Sequence, residues 1–148
     1  MADKEQKYEE LVAQAKALSE AENDEIALMA NVAAIIHGTF HFWWTGFYRV
    51  VGEELVLGPF QGPLACTRIK FGWGVCGTAW KERRSVVVPD VEEFPGHIAC
   101  SSASRSEIVV PMFRNGEVFA VLDIDSEKLS TFDETDRVFL EKIVQQCF

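Results

Sequence analysis

Two apolar runs, EIVVPMF and EVFAVLDID, flank Arg114-Asn115-Gly116. Asn-Gly between such runs is a strong short-range signal for a β-hairpin, because the tight turn needs positive φ at its central positions. Antiparallel pairing therefore organises the C-terminal half of the chain. Side chains alternate faces along a strand. Val118, Ala120, Leu122 and Ile124 then share one face, and Phe119, Val121, Asp123 and Asp125 the other. Asp123 and Asp125 stand about 7 Å apart, from a rise of ~3.3 Å per residue. Neighbouring carboxylates repel, which favours one of them keeping its proton near neutral pH. Such a pair suits binding a cation or giving a proton to a polarised oxygen. A strand end that merely reaches solvent is the competing explanation of a D-x-D pair.

The remaining pattern adds helices on either side of further strands. Residues 3 to 18 carry Tyr8, Leu11, Val12, Ala15 and Leu18 on one helical stripe. A second helix is expected from Ala21 to Gly38, with Ile26, Met29, Val32, Ala33 and Ile36 at spacings of three and four and Gly38 as its C-cap. HFWWTGFYRV reads as a strand that places Trp44, Gly46 and Tyr48 on one face. A second strand follows around ELVLG, and a third over residues 64 to 69, where Cys66 alternates with Leu64 and Arg68. FGWGVCG reads as a glycine-rich loop before a short helix, SVVVPD as a short strand, and VEEFPGHIACSSASRS as a long polar loop. FDETDRVFLEKIVQQCF is an amphipathic helix with Asp133 as N-cap and acids Glu134 and Asp136 in its first turn. This order gives an α+β fold, a sheet with helices packed mainly on one face.

Charge and length exclude several classes of function. The chain has 148 residues and a net charge of −9, with no basic cluster. Nucleic acid is not an expected partner, because that binding rests on Lys and Arg neutralising phosphates. No run reaches the ~18 apolar residues of a membrane span. MADKEQKYEELV lacks the apolar core of a signal peptide, so the expected location is the cytoplasm. In that compartment thiols stay reduced, and four cysteines do not make a structural disulfide framework.

Each cysteine is then a packing residue, a metal ligand or a reactive thiol. Cys100 lies in a polar loop with His97 three residues before it, Arg105 five after it and Ser101, Ser102, Ser104 and Ser106 around it. Positive charge nearby raises the thiolate fraction, which makes Cys100 the better nucleophile candidate. Cys76, ahead of a short helix, is a second candidate; Cys66 has a core position as its bland alternative; Cys147 beside Phe148 reads as packing. His97, Cys100, Cys66 and Cys76 could supply zinc ligands, but the usual tight Cys pair is missing, so no metal is assigned. The residues alone stop at a cysteine-bearing pocket lined by acids and aromatics.

The order of segments goes further. TGFYRV, LVLGPFQGPLACTRI, GWGVCGTAW, VVVPDVEEFPGHIAC, SEIVVPMF, GEVFAVLDIDS and FDETD together resemble the free methionine-(R)-sulfoxide reductases, which are single GAF domains. The resemblance spans residues 41 to 137. It implies one GAF domain over 1–148, with helices in 1–38 and the sheet, pocket loops and last helix in 41–148. It also implies a central antiparallel sheet of about six strands, with helices on one side and the ligand pocket on the other.

By the same resemblance Cys100 is the nucleophile, Cys66 the principal resolving thiol and Cys76 a secondary one. Glu107, Asp123 and Asp125 line the substrate site, with Trp44 and Tyr48 as pocket aromatics. On this basis Trp44 packs the substrate methyl, Glu107 and Asp125 polarise and protonate the sulfoxide, and Asp123 takes the amino group. The implied partners are free methionine sulfoxide and a thioredoxin-type reductant, with a homodimer by analogy and no cofactor. Two rivals are a non-catalytic GAF sensor and a zinc-thiolate domain. One geometric conflict follows. A strict two-residue hairpin pairs Ile108 with Asp123 and points Glu107 away from both aspartates. If all three acids share a pocket the hairpin contains a bulge or a longer turn, and Pro111, which has no N–H to give, is the expected break.

Overall fold

The computed structural model describes residues 3–97 and 103–148. Six strands form one antiparallel sheet: β1 (Trp44–Val51), β2 (Glu54–Gln61), β3 (Arg68–Lys70), β4 (Val86–Val88), β5 (Ser106–Arg114) and β6 (Glu117–Ser126). Their spatial order is β3-β2-β1-β6-β5-β4. Three helices, α1 (Lys4–Ala21), α2 (Glu25–Phe40) and α4 (Glu134–Cys147), cover one face. There Tyr8, Leu11, Met29, Ile36 and Leu140 pack on Phe47, Ile108, Val110, Leu122 and Ile124. The opposite face carries α3 (Gly74–Glu82), whose Val75, Cys76 and Ala79 pack with Trp44, Tyr48, Val109 and Val121. This is the α+β arrangement that the resemblance implies. No helix among the described residues is long and apolar enough to cross a membrane.

The central hairpin contains the bulge. Asn115 and Gly116 both take positive φ, 53° and 78°, as a two-residue turn requires. Arg114 pairs with Glu117 and Phe113 with Val118, but Met112 pairs with Ala120. Phe119 is thus an extra residue in β6, and everything beyond it shifts by one. The break falls at Met112/Phe113; Pro111 pairs with Val121 inside the ladder, contrary to expectation. The bulge also exchanges two side chains across the sheet. Phe119 packs against the helix-side core and Val118 joins the opposite cluster, the reverse of simple alternation.

Other boundaries move for local reasons. The second helix runs past Gly38 to Phe40, and His41 at φ 56° is its left-handed cap. Ile26, expected on the buried stripe, is 47% exposed. β1 begins at Trp44 rather than at residue 41. Only Arg68–Lys70 of the expected third strand pairs, so Cys66 lies in the loop between β2 and β3 and not on a strand. Helix α3 starts at Gly74 with Trp73 at its N-cap, which puts Cys76 inside the first turn. Asp133 caps α4 as expected, and Asp136 completes a capping box. Asp136 also receives the Tyr8 hydroxyl at 2.6 Å and Lys4 Nζ at 2.7 Å, tying α1 to α4.

Candidate active site

The register of the sheet gathers the acids. Asp125 stands opposite Trp44 of β1 on one side and opposite Glu107 of β5 on the other. One step along, Asp123 stands opposite Gly46, and Tyr48 opposite Val121. Cross-strand partners on one face lie about 5 Å apart, so Glu107, Asp123 and Asp125 form a compact cluster beside two aromatic rings. Together with Cys76, His97 and Ser104 they line one pocket, on the face away from α1, α2 and α4. Leu64 and Trp73 stand at its rim, 89% and 58% exposed.

Glycine makes room for the aromatic wall. A Cβ at Gly46 would lie 2.6 Å from Trp44 Cη2 and 2.4 Å from Phe60 Cβ. The Trp44 indole therefore folds over Gly46 and stacks on Phe60 at 5.2 Å and on Tyr48 at 5.9 Å between ring centroids. Its Nε1–H donates to Pro63 O at 3.1 Å, and the Tyr48 hydroxyl donates to Cys66 O at 2.9 Å.

Burial sets the electrostatics. Glu107 and Asp123 are 6% and 5% exposed. Burial, reinforced by the Asp123 charge, pushes the Glu107 and Asp125 carboxyls well above the ordinary carboxylate range. Asp123 is also raised by burial, but hydrogen bonds involving Glu107, Cys76 and Asp125 and the nearby His97 pull it back. Asp123 is thus the acid that most readily carries the charge of the cluster. Its Oδ1 is buried with no hydrogen-bond partner among the described residues. Ser104 Oγ–H donates to Asp125 Oδ1 at 3.0 Å. Burial holds His97 below its usual value, against the pull of Asp123.

The cysteines separate into different environments. Cys100 lies outside the described residues. Cys66 is disulfide-bonded. Cys76 is buried among the acids, and burial and then the Asp123 charge raise its thiol well above its ordinary range. Cys147 is partly buried in the helix-side core and donates to Ala15 O at 3.4 Å, the packing role expected of it. Of the four candidate zinc ligands, Cys100 lies outside the described residues and Cys66 is disulfide-bonded. Donor atoms of Cys76, Glu107 and Asp123 do lie within 4.8 Å of one another. That is a carboxylate-rich group, unlike the cysteine-rich set of a structural zinc.

Local alternation put Asp123 with Asp125 on one face and Trp44 with Tyr48 on one face; the pairing of β1 with β6 makes it the same face. The contacts of Ser104 with Asp125 and of Cys76 with Asp123 depend on packing between distant segments, and only the Gly-Trp-Gly run before Cys76 hinted at a special approach.

The sequence matches the GAF domain family over residues 18–147. It is 55% identical over 143 residues to GAF domain-containing protein A of Dictyostelium discoideum, covering 96% of this chain and 90% of the relative. It is 41% identical over 140 residues to the free methionine-R-sulfoxide reductase of Escherichia coli, covering 94% and 85%. An X-ray structure of free methionine-R-sulfoxide reductase from Neisseria meningitidis in complex with its substrate superposes with a TM-score of 0.97 at 51% identity, over 99% of this chain and 89% of that one. The chain belongs to the GAF domain family, on the branch that includes the free methionine-R-sulfoxide reductases.

Proposed function

We propose that this chain is an oxidoreductase that reduces free L-methionine-(R)-sulfoxide to methionine with its own cysteines. The observation that carries the reading is the buried acid cluster beside Trp44, in which one carboxylate oxygen awaits a donor. The substrate is a zwitterion with a polar S=O, an S-methyl and an α-ammonium. Asp123, the acid that most readily ionises, suits the ammonium. Glu107 and Asp125, whose carboxyls burial pushes toward the protonated form, suit donation to the sulfoxide oxygen. The Trp44 indole packs the methyl. A pocket that grips the amino end of the substrate favours the free amino acid over methionine sulfoxide within a polypeptide.

In the first step the Cys100 thiolate attacks the sulfur made electrophilic by protonation of its oxygen. Methionine leaves, and the oxygen remains on Cys100 as sulfenic acid. The Cys66 thiol then displaces that oxygen as water and forms a disulfide. The disulfide-bonded state of Cys66 fits this role. Cys76 is the reserve resolving thiol, disfavoured by its burial. A thioredoxin-type dithiol restores both cysteines by exchange. A single GAF domain over 1–148, a homodimer and a cytoplasmic location, where such a reductant is found, extend the same reading.

Mixing the reduced chain with one equivalent of the free (R)-sulfoxide tests it. The expected result is one methionine released and two thiols lost per chain. Tight binding without reduction, even with dithiothreitol present, would favour a sensor instead.

A further inference from the structure

Trp44 and Tyr48 make two contacts that a wall for a small substrate does not require. The Tyr48 hydroxyl donates to Cys66 O at 2.9 Å, and Trp44 Nε1–H to Pro63 O at 3.1 Å. Both acceptors lie in residues 62–67, an irregular stretch between β2 and β3. This stretch buries little of itself: Leu64 is 89% exposed, and Ala65 and Cys66 are only partly buried. With so few packed apolar contacts, the stretch is held by hydrogen bonds together with the disulfide at Cys66.

The fixing points span the stretch. At its start Gly62 takes φ +133°, and a Cβ there would lie 2.8 Å from Trp44 Cδ1 and 2.9 Å from the Trp43 carbonyl oxygen. The backbone thus passes directly against the indole. At its end Leu57 N–H donates to Thr67 O at 3.0 Å. Between these points the Tyr48 hydroxyl takes hold of the backbone of Cys66, whose sulfur is in the disulfide. The phenol is buried, which pushes its ionisation far above the ordinary range and keeps it a donor.

We propose that Tyr48 is a positioning residue for the second chemical step, fixing the Cys66 backbone so that its sulfur meets the sulfenic acid on Cys100. The proposal rests on the reductase reading above. In this step the Cys66 sulfur bonds to the Cys100 sulfur and the Cys100 S–O bond breaks. The departing hydroxide and the thiol proton leave as water. Cys66 is oxidised and Cys100 reduced by the same electron pair. The rate of such a step depends on alignment of the two sulfurs. With its carbonyl held, Cys66 has little left to search beyond its single side-chain torsion.

Tyr48→Phe removes the hydroxyl and keeps the ring. In a single turnover of the full chain, methionine release, dimedone-trapped sulfenic acid and disulfide are followed together. Disulfide formation per methionine released should slow roughly three- to tenfold, the range that one neutral hydrogen bond supports, and trapped sulfenic acid should rise. In the same single-turnover assay Cys66→Ser should trap sulfenic acid more fully, and adding Tyr48→Phe to it should not raise the trapped fraction per methionine released any further, because both act on one step. A wild-type division between sulfenic acid and disulfide, or a further rise in the trapped fraction in the double variant, would overturn the proposal and leave Tyr48 as pocket wall only. If the unsubstituted chain releases no methionine, the reductase reading itself falls, and this proposal falls with it.

Discussion

Glu107 of β5 stands directly opposite Asp125 of β6 because Phe119 is an extra residue in the same hairpin. In a strict two-residue hairpin Glu107 would face Ile124, whose side chain is in the helix-side core. One bulged residue therefore decides whether the third acid is in the pocket.

The acid cluster works against stability above the ordinary carboxylate range. Glu107 and Asp125 are raised chiefly by burial. Groups raised on folding contribute fully below the unfolded value near 4 and lose that contribution as pH rises through the folded value. Glu107→Gln removes one ionisation and should raise Tm more at pH 8 than at pH 5, while slowing turnover by about 10²-fold. Thermal scans of the ligand-free chain at the two pH values decide this, and an equal gain at both would contradict it.

Cys100, Cys66 and Cys76 should differ in kind. Cys100→Ser should lower turnover by at least about 10³-fold with any reductant. Cys66→Ser should lose most thioredoxin-linked turnover and keep turnover with dithiothreitol, which reaches the sulfenic acid directly. Cys76 is buried and its thiol raised, so it forms little of the thiolate that exchange requires. Cys76→Ser should lower thioredoxin-linked turnover by less than about tenfold. Parallel assays with the two reductants separate these cases.

Gly46→Ala forces a Cβ to within 2.4 Å of Phe60 Cβ and 2.6 Å of the Trp44 ring. Overpacking of this kind costs about 1–3 kcal/mol. The indole must also shift, and because it is proposed to pack the substrate methyl, KM should rise by about tenfold. Denaturant unfolding together with KM for the free sulfoxide would show both effects.

Tyr8→Phe should separate stability from catalysis. The hydroxyl donates at 2.6 Å to Asp136, itself buried under α1. Its loss leaves a buried carboxylate short of a donor, worth about 1–3 kcal/mol. Tyr8 packs on the sheet face opposite the pocket, so kcat/KM should stay at the wild-type value.

What the sequence revealed followed the range of each interaction. Alternation along a single strand is local, and it paired Asp123 with Asp125 and Trp44 with Tyr48, while their sharing of one face depended on how β1 pairs with β6. Asn115-Gly116 marked its turn because positive φ is a property of those residues. The position of Glu107 depended on the register between two strands, and nothing in EVFAVLDID marks Phe119 as the extra residue. LACTRI alternates like a strand, yet β2 offers a partner only to Arg68–Lys70, so the Cys66 reading failed on pairing rather than on pattern. Helix α3 begins without a side-chain cap, which removed the usual signal and left Cys76 outside its helix. The helix ending at Phe40 turns on His41 in a conformation more usual for glycine, and so the expected cap at Gly38 was passed over.

The most direct measurement is steady-state turnover of free L-methionine-(R)-sulfoxide with thioredoxin, thioredoxin reductase and NADPH. The (S) isomer and an N-acetylated, amidated (R) substrate would run alongside, each also with Cys100→Ser. The account predicts turnover of the free (R) form alone, abolished in Cys100→Ser. Turnover of the blocked substrate at a comparable rate, or none of the free (R) form with either thioredoxin or dithiothreitol, would contradict it.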